Sequence, residues 1–87
     1  MVSTRANLIG MLFLNPTFTA RGIAEKCSTT TTDVEAFFRE LSAVGIIEHD
    51  APANTWRRTA KAGLTEGAMM KQAAEAGIDL AFPLARP

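Results

Sequence analysis

Two short runs hold most of the side chains in this 87-residue chain that could do chemistry on a partner. The first is Thr29-Thr30-Thr31-Thr32, followed by Asp33, Glu35 and Arg39. Threonine hydroxyls can bond phosphate oxygens, and threonine methyls can touch the methyl of thymine. Threonine is also a good helix cap and a poor helix-interior residue, so the same run can serve as a solvated helix start. The second run is Thr55-Trp56-Arg57-Arg58-Thr59. Its adjacent guanidinium groups can bond an anion, or they can keep a strand edge soluble. The large apolar area of Trp56 assigns it to the core rather than to a stacking platform.

Counting removes other chemistries. Cys27 is the only cysteine, His49 the only histidine, and the chain has no tyrosine. Without a glycine-rich phosphate loop, no catalytic set can be assembled, and the chain is not expected to be an enzyme. The same scarcity leaves no intramolecular disulfide, argues against a zinc site, and gives no reason to expect a cofactor. Cys27 reads as a small buried hydrophobe and His49 as a surface residue. The formal net charge is zero, so a basic face must come from the distribution of charge rather than its sum. A hydrophobic content of 47% supports a real core. The apolar stretch Leu8 to Leu14 is too short to span a membrane, and Asn15-Pro16 follows it in place of a small-residue cleavage site. A cytoplasmic protein with one reduced thiol and no membrane partner is expected.

The elements that must position these side chains can be read from caps and periodicity. Ser3 or Thr4 caps a first helix whose buried face is Leu8, Ile9, Leu12 and Phe13; Asn15-Pro16 stops it. Thr19 caps a second helix, Ala20 to Lys26, with Ile23 and Ala24 inward. Thr30, with Asp33 three residues on, forms an acidic variant of the capping box. It starts a third helix, Thr31 to Val44, striped by Val34, Phe37, Phe38 and Leu41 and ended by Gly45. Ile46 to His49 and Thr55 to Thr59 read as two strands joined by the turn-rich Asp50 to Asn54. A fourth helix is expected from Ala60 to Ala76, stopped by Gly77. Residues 1–77 then make one mainly α domain with a small hairpin. Residues 78–87, with Ile78, Leu80, Phe82 and Leu84 alternating with other residues, make an extended tail that packs somewhere rather than a free linker.

This order resembles the winged helix-turn-helix superfamily of small bacterial, plasmid or phage regulators, including relatives of the multiple-antibiotic-resistance and arsenic-resistance repressors. The resemblance covers Ala6 to Thr59, about two-thirds of the chain, with a further match in Thr59-Ala60-Lys61-Ala62-Gly63. Phe18 to Lys26 is similar to the second helix of that family, Thr30 to Leu41 to its third, and Ala43 to Glu48 to the helix exit and first wing strand. The resemblance implies a DNA-binding transcription regulator. Its third helix would turn Thr30, Thr31, Thr32, Glu35, Ala36 and Arg39 toward bases and phosphates. Its wing would bring Arg57 and Arg58, with Lys61 close behind, to flanking phosphates. The third helix departs from the usual pattern. Its first half has no lysine, arginine, asparagine or glutamine, and it carries Asp33 and Glu35. The alternative is a module that binds protein, such as a mobile-element or phage protein that inhibits a host protein.

The fourth helix bears on assembly. Gly63 and Gly67 lie one turn apart in it, with Met69, Met70 and Ala73 nearby. Glycine costs about 1 kcal/mol in a helix interior, and a close helix contact is a reason to keep it. These residues, with Phe82 of the tail, are the expected surface of a two-fold homodimer. The competing expectation is that the fourth helix packs on the first within one chain.

Overall fold

The structure, a computed structural model, describes residues 4–86. Ser3 and Pro87 lie outside the described residues, so the choice of Ser3 as a cap is not addressed. The described residues form α1 (Arg5–Met11), α2 (Ala20–Lys26), α3 (Thr31–Ala43), β1 (Ile47–Asp50), β2 (Thr55–Arg58) and α4 (Glu66–Glu75). The chain is mainly α with one small antiparallel hairpin, in the expected order.

Local chemistry accounts for most of the boundaries. Thr19, Thr30 and Thr65 each precede a helix in extended conformation, and each hydroxyl accepts a hydrogen bond from the backbone N–H three residues on. The end of α3 is a Schellman turn: Gly45, at φ 82°, lets Ile46 N–H reach Leu41 C=O at 3.0 Å. The end of α2 has the same hydrogen bonds, with Thr29 N–H donating to Ala24 C=O at 3.0 Å. There the left-handed position is held by Ser28, at φ 54°. Only half of the expected capping box forms at α3. Thr30 accepts from Asp33 N–H, while the Asp33 carboxylate turns away to accept the N–H of Ala85 at 2.7 Å.

The fourth helix starts at Glu66 rather than Ala60, and this corrects the sequence expectation. Three non-local bonds hold residues 59–63 in a turn. The Thr59 hydroxyl donates to Gly45 C=O (2.5 Å), Gln72 Nε2 donates to Lys61 C=O (2.6 Å), and Gly63 N–H donates to Gln72 Oε1 (2.5 Å). With Gln72 bridging that turn, Thr65 becomes the cap.

The core lies where the four helices meet the hairpin. Leu8 and Ile9 of α1 and its C-cap Leu12 pack with Phe37, Phe38 and Leu41 of α3 and with Met69 and Ala73 of α4, all fully buried. Phe38 is the junction: its ring sits 5.4 Å from Phe18 and 5.4 Å from Trp56, edge-on to both. Phe18 and Trp56 also exchange backbone hydrogen bonds (2.9 and 2.7 Å), so the linker between α1 and α2 is stitched to β2. This pairing was not visible in the sequence. The tail lies against α1 and the start of α3. Leu84 is buried, Phe82 C=O and Leu80 C=O accept from Arg5 and Ala6 N–H, and Ala85 C=O accepts from the Thr29 hydroxyl. Arg5 lies between the rings of Phe37 and Phe82 and pairs with Glu40 at 2.5 Å.

Candidate functional site

The outward face of α3 begins where its buried stripe ends. Val34, Phe37, Phe38 and Leu41 point inward, which leaves Thr32, Ala36 and Arg39 exposed and Thr31 and Glu35 half-buried on one flank. That flank faces the first turn of α2 and the tip of the hairpin. The three elements enclose an open cleft of about 270 Å3. Thr19 and Arg21 come from α2 and its cap, Thr31, Glu35 and Arg39 from α3, and His49, Asn54 and Trp56 from the hairpin.

Two guanidinium groups therefore meet one carboxylate in the cleft. Both are held in single-turn ion pairs, Arg21 with Glu25 at 3.5 Å and Arg39 with Glu35 at 3.6 Å. The two arginine side chains are 84% and 75% exposed, so water screens these pairs, and helix pairs of this spacing contribute only about 0.3–0.5 kcal/mol. A phosphate offering shorter charge-assisted bonds can replace the carboxylates at little cost. The hairpin wall is firmer. His49 lies opposite Trp56 in the ladder, its ring 4.4 Å away, and its Nε2 is 3.2 Å from Asn54 Oδ1. Asn54 holds the turn at φ 52°, a conformation that asparagine tolerates better than most residues.

The residues expected to contact DNA separate into groups. Thr31, Glu35 and Arg39 come together in the cleft, and Thr32 is exposed on the outward side of the same helix. Thr30 is engaged as the cap. Arg57 is exposed on the opposite face of β2 from Trp56, and its Nε donates to Glu48, its cross-strand partner, at 2.5 Å. Arg58 is withdrawn: its guanidinium donates to Leu12 C=O and lies 4.4 Å above the Phe13 ring, closing the end of α1. Lys61 lies at the other end of α3, with its stem against Gly45. Sequence reasoning missed Thr19, Arg21, His49 and Asn54 as members of the site. Their only sequence signals were a cap, a turn and one charge, none of which locates a cleft.

The residues expected in a dimer interface do not form one surface. Met69 and Ala73 are fully buried in the chain's own core, and Met70 packs on its edge. Gly63 lies outside α4, where a Cβ would come within 2.7 Å of Ala68. Gly67 is open to solvent, and Phe82 is half-exposed beneath Arg5. The fourth helix packs on α1. Cys27 caps the end of α2, and burial pushes its thiol above the usual range against the opposing pull of Lys26. Among the described residues there is no group of side chains suited to a metal ion and no helix long and apolar enough to cross a membrane.

Comparison with family models, with curated proteins and with solved structures finds no match to the chain.

Proposed function

We propose that the chain is a small winged-helix DNA-binding regulator of the cytoplasm, with α2 and α3 as its helix-turn-helix and the β1–β2 hairpin as its wing. The observation that carries this reading is the cleft face. One exposed helix presents Thr31, Thr32 and Arg39, with Arg21 and the hairpin tip beside them, on a rigid apolar support. A face of one helix width fits the major groove of B-DNA. The expected grip is modest, because it rests on Arg21, Arg39 and Arg57 exchanging carboxylate partners for phosphates.

Fluorescence anisotropy with a mixed-sequence duplex tests it. Binding should weaken steeply between roughly 50 and 200 mM salt, and Arg39→Ala and Arg21→Ala should each lower the salt slope by about 1. Arg58→Ala should instead lower thermal stability and leave the slope unchanged. No binding at low salt would sink the proposal.

The pairing of the exposed arginines favours a second reading. With net charge zero and both cleft arginines, Arg21 and Arg39, facing a glutamate, the same face is suited to a protein surface of mixed charge. A stoichiometric protein complex that survives moderate salt, formed by a chain inert toward DNA, would select that reading.

A further inference from the structure

A second hollow, of about 250 Å3, borders α2 and shares only Thr19 with the cleft. Thr19, Gly22, Ile23 and Lys26 line it at three- and four-residue spacing, which is one flank of the helix. Ala20 and Arg21, which line the cleft, fall on another flank. The apolar part of the lining is Phe18 and Ile23, both buried. The polar part is Asn15, Thr17, Thr19, Thr55 and Lys26, drawn from the linker before α2, from α2 and from β2.

The backbone gathers these polar groups. Phe18 and Trp56 form an antiparallel bridge and turn their rings into the core. Side chains alternate on either side of such a bridge, so the neighbours Thr17, Thr19 and Thr55 fall on its outer side. Gly22 keeps room beside them. A Cβ there would come within 2.9 Å of Thr19 Oγ1, and Gly22 is not in the left-handed conformation that would otherwise call for glycine.

The charge balance differs from that of the other hollows. The cleft combines Arg21 and Arg39 with Glu35, the groove at the end of α3 combines Lys61 with Glu75, and a hollow beside the tail combines Arg5 with Asp33. Here Lys26 is lined up with no carboxylate, and it makes no ion pair among the described residues. The Thr19 hydroxyl accepts from Gly22 N–H, which leaves its own proton free to donate. An ammonium, an amide N–H and three hydroxyls without a competing anion are a donor set for an oxyanion.

We propose that this hollow binds a phosphate group, with Lys26 supplying the charge and Asn15, Thr17, Thr19 and Thr55 the hydrogen bonds. A free phosphate and the phosphodiester of a nucleic acid share this chemistry. The site is separate from the cleft face and does not rest on the DNA reading.

NMR titration of the isotope-labelled full chain with inorganic phosphate is the test, at constant pH and with ionic strength held by chloride. The backbone amides of Thr17, Thr19, Gly22 and Thr55 should shift together and saturate in the millimolar range. Lys26→Ala should weaken binding by about ten-fold and Thr55→Val by about three-fold, with circular dichroism unchanged, because neither side chain belongs to the core. Lys26→Arg should retain binding, and Lys61→Ala, which removes a lysine elsewhere, should leave it as it was. Shifts that do not saturate, or that are as strong in Lys26→Ala as in the wild type, overturn the proposal, whether or not the chain binds DNA. Fluorescence anisotropy with a duplex then separates the two sources. For a phosphodiester, Lys26→Ala lowers the salt slope by about 1. For a free phosphate, the site saturates in the titration and the slope is unchanged or the duplex is not bound.

Discussion

The two ends of α3 sit in opposite surroundings. At its start, Thr31, Glu35 and Arg39 line a polar cleft whose arginines already hold carboxylates. At its finish, Val44 and Ile46 line a shallow groove with Lys61, Gln72, Glu75 and Ala76, and neither Lys61 nor Glu75 makes an ion pair among the described residues. One helix thus borders two surfaces of different character. Charges paired loosely in water are exchangeable, and they suit a partner that brings its own charge. The turns at the two ends differ as well. Both use the same hydrogen bonds, but glycine occupies the left-handed position at the finish and serine the one that precedes the start.

The largest expected effect comes from removing the ring that ties α3 to the hairpin. Phe38→Ala should destabilise the fold by about 3–5 kcal/mol in urea unfolding, and should free Trp56 fluorescence from its aromatic neighbour. A loss below 1 kcal/mol would mean that the hairpin is held by other contacts. Gly45→Ala should cost about 1–2 kcal/mol, because an L-residue is strained at φ 82°. Ser28→Gly should act in the opposite direction and stabilise by about 0.5–1 kcal/mol, relieving the same strain at φ 54°. If the two turn variants shift the unfolding midpoint with the same sign, the comparison fails. The smallest effect concerns Cys27. Its folded thiol is raised by burial, so the folded state keeps its proton where the unfolded state begins to lose it. Stability should be unaffected at neutral pH and should decline as pH rises from the ordinary thiol value through the folded one. Cys27→Ala should abolish that slope, and disulfide reagents should label the folded thiol slowly at pH 7.

Much of the fold was legible because its signals are local. Thr19 and Thr30 mark helix starts, Gly45 and Gly77 mark stops, and the stripe from Val34 to Leu41 gives the buried face of α3 without reference to anything distant. The start of α4 was not legible, although Thr65-Glu66 is a good cap. Thr59 looked equally good, and what settles the matter is Thr59 bonding to Gly45 and Gln72 bonding to Lys61. The site was less legible than the fold for the same reason. The spacing of Thr31, Glu35 and Arg39 puts them on one helix flank, and they do line one cleft. Nothing near Arg58 in sequence indicates that Leu12 C=O claims its guanidinium, or that Asp33 serves the tail. The acidic residue that looked out of place beside a polyanion is part of the tail's anchorage.

That anchorage fixes an order of events. The N–H groups of Arg5 and Ala6, the Thr29 hydroxyl and the Asp33 carboxylate all find their partners in residues 80–85. These are translated after every element they close. A nascent chain thus holds α1 and the start of α3 unsealed until residues 80–85 emerge. The stretch that resembles an appendage acts as the clasp, joining residues 80–85 to α1 and to the start of α3.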